Sequence, residues 1–285
     1  MRGMKDLQFK IDGPILKKGV PLHIALNTLD NFQSIIDKSY LVWTSSKRVS
    51  SKDREKYFIQ VREFRQNTLT TFFDIIIQGA QLTLPLFAAI GPRNIWDYTV
   101  EAYKFLRLVC NAVQNDQQTQ YEFNSNGQTI VRIGNEIHNY YAPVYQIAQL
   151  SLPHYQNLTA TLSPEKITNI QAGKIKTEEP DIQLTVEDKH AFDIPTRIEK
   201  ETVKLKCEIF DFNKYKNAGR LAVKIEGQAV PPGEYKFTIF GDQDHVDYIY
   251  SMLKPEVTVY CLIELKADPF GGDKVHKLHI TGVGS

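Results

Sequence analysis

The chain has 285 residues, 42% hydrophobic and 24% charged, with a formal net charge of +1. This excludes a disordered or collagen-like chain, and the length fits one large domain or two ordinary ones, with two expected. So balanced a charge predicts no partner by itself, and a claim of nucleic-acid binding needs a local basic stripe.

Cys110, Cys207 and Cys261 lie far apart in apolar surroundings and form no CxxC pair. They read as buried thiols of a cytoplasmic protein, without disulfides or a zinc knuckle. The first fourteen residues lack the apolar core of a signal peptide. The longest apolar tract, residues 70–92, is interrupted by Asp74, Gln78, Gln81 and Pro85. A spanning helix needs about 20 nearly unbroken apolar residues, so no membrane segment is expected.

In chain order, residues 7–11 alternate and stop at Asp12-Gly13-Pro14, which is a strand ended by a turn. After Pro21, Leu22, Ala25, Leu26, Leu29, Phe32, Ile36 and Tyr40 recur at helical spacing and predict one long amphipathic helix. The basic run SSKRVSSKDREK reads as a solvated connection. YFIQVREF and TLTTFFDIII, separated by RQNT, read as a hairpin rich in aromatic and β-branched residues. Asp74 inside the second run needs either a partner or an exposed edge, and edge exposure is the simpler expectation.

A helical pattern begins at Leu82, breaks at Gly91-Pro92 and resumes with Ile95, Tyr98, Ala102, Phe105, Leu106, Val109 and Val113 on its apolar face. Asn126-Gly127 between two alternating runs is the strongest hairpin signal in the chain. Pro143 and Pro153 flank a helix built on Val144, Ile147, Ala148 and Leu150, and a short helix is expected near Ser163. Residues 1–173 are thus expected to form an α+β domain of mixed helices and hairpins. Residues 174–201 read as a linker with edge strands.

From residue 202 the pattern is β-rich, with strands expected over 202–212, 218–227, 233–241, 256–267 and 274–283 and one helix between the third and fourth. Three strands, a helix and two strands resemble a small five-stranded OB-like β-barrel over 202–285. Alternation sends Val203, Leu205, Cys207 and Ile209, Leu221, Val223 and Ile225, Tyr235, Phe237 and Ile239, and Val257, Val259, Cys261 and Ile263 inward. The other face then carries Lys204, Lys206, Phe210, Phe212, Arg220, Lys224, Lys236 and Phe240. Between residues 204 and 236 seven basic residues stand against four acids, although the module as a whole has no basic excess.

OB-like barrels hold single-stranded nucleic acid on such a face, by stacked aromatics and a positive groove. The structural alternative is that Phe210 and Phe212 pack inside the protein and the lysines form a solvated face. At TIFGDQDHVDYIYSML, Asp244 is expected to cap the helix and Asp247 to sit in its first turn, with Val246, Ile249 and Leu253 as its buried stripe. A metal bound by Asp242 and Asp244 is the competing reading, but the spaced ligands of a calcium loop are missing. The histidines are scattered, and His276 and His279 should point to opposite faces of a strand. The residues carry no cofactor motif, and the glycines of ADPFGGDK read as a loop between the last two strands.

The segments FKIDGPILKKGVPLHIALNTLDNFQSIIDKSYL, LPLFAAIGPRNIWDY and VYQIAQLSLPHY resemble a group of uncharacterised bacterial proteins. In that group an α+β region of about 150 residues precedes a small β-rich module. The resemblance implies a setting among mobile or defence-related genes and transfers no site residue. Three functions are open at this point. The first is a non-enzymatic protein whose OB-like module, through Lys204, Lys206, Phe210, Phe212, Arg220, Lys224 and Lys236, contacts single-stranded nucleic acid or another elongated ligand, with the first domain serving homo-oligomer or partner contacts. The second is a protein-contact or sensing subunit of a bacterial defence assembly, with its partner encoded nearby. The third is an enzyme with a pocket near His138 and His154.

Overall fold

The computed structural model describes residues 2–65, 69–77, 95–124, 127–175 and 177–284. The helical pattern expected from Leu82 to Gly91-Pro92, and the turn residue Asn126, lie outside them. The protein is α+β and divides into two compact units, Met1–Asp193 and Ile194–Ser285. No helix among the described residues is long and apolar enough to cross a membrane.

The first unit contains, in chain order, β1 (Arg2–Asp12), a 3-10 turn (Pro14–Lys18), α1 (Leu22–Thr44), α2 (Ser51–Lys56), β2 (Tyr57–Arg65), β3 (Leu69–Ile77) and α3 (Ile95–Gln114). It continues with β4 (Thr119–Phe123), β5 (Gln128–Ile133), β6 (Glu136–Tyr141), α4 (Ala142–Ala160), β7 (Asn169–Lys174), β8 (Ile182–Thr185) and α5 (Asp188–Phe192). An antiparallel sheet runs β2-β3-β1-β7-β8, and β4, β5 and β6 form a separate antiparallel meander. The stretch expected as a linker with edge strands contains the division between the units. β8 is the edge strand of the first sheet, and Ile182, Leu184 and Phe192 are buried, so β8 and α5 belong to the first unit.

Packing centres on Phe32 of α1. Its ring lies 4.2 Å from Phe9 of β1, 5.3 Å from Phe73 of β3 and 6.3 Å from Trp96 of α3, measured between centroids. One side chain thus joins two central strands and two helices, and such aromatic pairs add about 0.5–1.5 kcal/mol each beyond the area they bury. The indole of Trp96 donates to Asp181 Oδ2 at 2.9 Å, so the buried polar edge of that ring is satisfied.

Several local expectations change. Leu22 and Leu26 are exposed, and the buried line at the start of α1 runs through Ile24, Thr28 and Asn31. Thr28 donates to the Ile24 carbonyl and Asn31 to that of Asn27, which lets polar residues take the inner face. The basic connection contains α2, closed by a Ser50/Asp53 capping box. Asp74 is only 6% exposed on β3, which lies between β2 and β1, so it is not an edge residue. It accepts from the Asp6 amide at 2.9 Å and pairs with Arg62 at 3.3 Å. Helix α4 runs through Pro153, whose missing N–H falls on the exposed side. The helix expected near Ser163 is a turn, because buried Leu162 and Ile167 bridge across it just before β7 begins.

The second unit contains β9 (Thr196–Ile198), β10 (Val203–Asn213), β11 (Ala218–Val223), β12 (Gly233–Ile239), α6 (His245–Ser251), β13 (Val257–Ala267) and β14 (Asp273–Gly284). The strands β10-β11-β12-β14-β13 close through a β10–β13 pairing, with β12 and β14 parallel and the other pairs antiparallel. This is the five-stranded OB-like barrel expected for the C-terminal part, with β9 added along β13. Leu205, Cys207, Ile209, Leu221, Val223, Phe237 and the β13 quartet fill it as alternation predicts. Ile225 does not, because β11 ends at Val223. Burial pushes the Cys207 and Cys261 thiols up to about 12. Asp244 caps α6, accepting from the Val246 amide at 2.9 Å, but Val246, Ile249 and Leu253 are exposed while Tyr248 and Ser251 are buried.

Replacing Phe32 with Ala should cost the first unit about 3–5 kcal/mol, the usual range for a buried phenylalanine. Urea unfolding followed by circular dichroism checks this, and a loss below about 1 kcal/mol would contradict the central role of that ring.

Candidate functional site

The expected binding residues lie along β10, β11 and β12, and a bulge decides which of them reach solvent. The β10–β11 register shifts between Ile209 and Asp211. An extra residue in one strand breaks strict alternation and re-aims the side chains beyond it. Phe210 therefore stays on the outer side, half-buried, with the Arg220 guanidinium 5.2 Å from its ring centre. Phe212 turns inward. Its ring stacks on Phe237 at 6.2 Å and on Tyr248 at 5.1 Å, against the barrel core. The expectation of Phe212 on the outer face is corrected by this bulge.

Gly219 on β11 makes the arrangement possible. It lies opposite Phe212, and a Cβ there would fall 2.1 Å from the Asp211 carbonyl and 2.7 Å from the Phe237 ring. Only glycine lets the bulged backbone and that ring approach so closely.

The structure gathers only part of the basic set. Arg220 and Lys236 stand directly opposite each other across β11 and β12. Lys236 is exposed and makes no ion pair among the described residues. Arg220 also reaches Asp211 at 3.0 Å, and Lys224, just beyond β11, pairs with Glu208. Lys204 and Lys206 lie instead along the β10–β13 seam, opposite Tyr260 and Thr258, and Lys206 is bonded to Glu256 at 3.2 Å.

One exposed aromatic was missed. Tyr215, at the tip of the β10–β11 hairpin, is 88% exposed between Lys214 and Lys216, with the Lys214 ammonium 5.1 Å from its ring. The Asn213 side chain accepts from the Tyr215 and Lys216 amides at 3.0 and 3.2 Å, and Asn217 takes a left-handed φ of 48°. The turn is therefore built to hold the ring out. Its signal in the sequence is the aromatic in NKYKN, flanked by a lysine on either side.

A second polar group spans β12, β13 and β14. Glu264 Oε2 lies 2.9 Å from His279 Nε2, and His279 Nδ1 lies 3.0 Å from Thr238 Oγ1. A carboxylate only accepts, so Nε2 donates to Glu264, and Nδ1 shares a hydrogen bond with the Thr238 hydroxyl. Both ring nitrogens are occupied, which makes this histidine a tie across three strands. Burial raises the Glu264 pKa, but hydrogen bonds from His279 and Thr196 and the Lys277 and His276 charges outweigh it and leave the group below its usual value. A bulge between Glu264 and Leu265 leaves His276 without an opposite residue on β13, so the alternation expected to separate His276 from His279 is broken there.

In the first unit, His154 bonds Asn31 at 3.1 Å and His138 bonds Glu136 at 3.2 Å, so the two histidines have separate partners. Burial, then the Lys38 charge, hold the His154 pKa down. Among the described residues no three His, Cys, Asp or Glu are gathered as a metal would require, and Asp244 serves as a cap. Comparisons with family models, curated proteins and solved structures return no match.

Two outcomes test this geometry. Phe212→Ala should destabilise the barrel by about 2–3 kcal/mol, below the fully buried range, while Phe210→Ala should cost under about 1 kcal/mol. Equal costs would show that the bulge does not sort the two rings. Because the folded Glu264 pKa is depressed, its contribution is present above the unfolded value and is lost as pH falls through the folded one. The wild-type chain should therefore lose more stability than Glu264→Gln on going from about pH 5 to about pH 3, as read from urea midpoints.

Proposed function

We propose that the barrel is a non-enzymatic binding module for single-stranded nucleic acid, with the strand crossing the outer face of β10, β11 and β12 toward the hairpin tip. The observation that carries this reading is the Arg220–Lys236 cross-strand pair beside Phe210, on the face that OB-like barrels use for oligonucleotides. A planar cation over an aromatic ring, next to an unpaired ammonium, offers a base something to stack on and a phosphate something to pair with.

The acids on this face do not oppose the reading strongly. The Arg220–Asp211, Lys224–Glu208 and Lys206–Glu256 pairs are solvent-exposed. Exposed pairs are worth about 0.2–1 kcal/mol, so a phosphate can displace a carboxylate at small cost. Tyr215 extends the face by one stacking ring.

A second reading, a protein-contact or sensing subunit, has a partner protein cover the same outer face of the barrel, where Tyr215 and Phe240 are exposed. Its test is co-purification with the product of a neighbouring gene. The enzyme reading calls for His138, His154 and a carboxylate in one cleft, and the bonds recorded for the two histidines run to Glu136 and Asn31 respectively.

Binding of labelled single-stranded oligonucleotides, followed by anisotropy, should weaken with salt at a logarithmic slope of about −0.7 per phosphate neutralised. Arg220→Ala and Lys236→Ala should each remove about one phosphate contact from that slope. Tyr215→Ala should cost about 1–3 kcal/mol without changing it. Absent or salt-independent binding would refute the proposal.

A further inference from the structure

The four residues Val246, Ile249, Tyr250 and Leu253 follow the i, i+3, i+4, i+7 spacing of a helical stripe. Such a stripe ordinarily faces a core. Here it faces solvent, at 46%, 47%, 62% and 80% exposure, while Tyr248 on the other side of α6 stacks against Phe212 and Phe237. The helical turn continues past Ser251, with the Met252, Leu253 and Lys254 amides bonded to the Tyr248, Tyr250 and Ser251 carbonyls. Lys254 therefore falls on the same edge of the stripe as Asp247 and Tyr250. Neither Asp247 nor Lys254 makes an ion pair within the chain among the described residues.

We propose that this stripe is a two-fold contact between two copies of the chain, made by antiparallel α6 helices. An isologous contact sets the same patch against itself. Antiparallel pairing about a two-fold axis places Ile249 against Tyr250 at the centre and Val246 against Leu253 on either side. The same operation brings the edge carrying Asp247 and Lys254 beside its own copy in reverse, so each Asp247 meets the other copy's Lys254. The unpaired charges of one chain are thus complementary to those of a second.

The alternatives fit less well. Asp242, Asp244 and Asp247 cluster at the start of the stripe and would repel a phosphate backbone or an anionic lipid surface. So short a helix buries less than the roughly 1,200 Å² of a stable interface, so the dimer is weak and depends on concentration. The contact does not depend on any ligand of the barrel.

Sedimentation equilibrium of the full chain, from low micromolar to sub-millimolar concentration, tests this. Reversible dimerisation is expected, and Asp247→Lys and Lys254→Asp should each raise the dissociation constant by about tenfold through two like-charge contacts. The double variant D247K/K254D should restore it, while circular dichroism shows that all three variants remain folded, with at most the small stability loss of a reversed charge at a helix end. A chain that is monomeric throughout overturns the proposal. So does a dimer indifferent to both single changes, or one that the double change fails to rescue.

Discussion

Strand β10 has to serve two neighbours, and the rest of the barrel depends on how it does so. Its first half pairs with β13 and its second half with β11. A sheet closes into a barrel only if its strands tilt and stagger, and a bulge supplies the bend. The shift after Ile209 is that bend, and Gly219 is the residue that lets the opposite strand follow it. One geometric event therefore closes the barrel, sends Phe212 into the core and leaves Phe210 beside Arg220. The architecture and the binding face come from the same irregularity.

The first unit is tied differently. Three buried carboxylates, Asp37, Asp74 and Asp188, are each met by an arginine, Arg54, Arg62 and Arg107 respectively. Each also accepts a neutral donor: the Tyr57 hydroxyl at Asp37, the Asp6 amide at Asp74 and the Thr185 amide at Asp188. A buried charge is tolerable only when paired and hydrogen-bonded. These pairs join α1 to α2 and β2, β1 and β2 to β3, and α3 to β8 with α5, and so add direction to the less specific packing around Phe32.

What the sequence made legible follows from periodicity. The barrel strands were readable because apolar and polar residues alternate cleanly, and the cap at Asp244 because capping chemistry is local. Legibility failed where a feature depends on residues distant in the chain. The arginine of the Asp37–Arg54 pair hides inside what looks like a polar connection, and the burial of Asp74 depends on which strands flank it. The bulge at Phe210 carries no signature of its own, so alternation carried Phe212 to the wrong face. On α6 the apolar periodicity of Val246, Ile249 and Leu253 marks an exposed stripe and not a core, because periodicity identifies a face without saying what covers it.

The division into two units has a practical side. Trp43 lies on α1 and Trp96 on α3, and the chain has no other tryptophan. Indole emission therefore reports on the first unit alone, whereas the barrel carries only tyrosines, Tyr248 among them. The first unit thus has an intrinsic optical label that the barrel lacks. Melting followed by indole emission, set beside melting of the unaltered protein followed by circular dichroism, shows whether the first unit unfolds together with the barrel or separately.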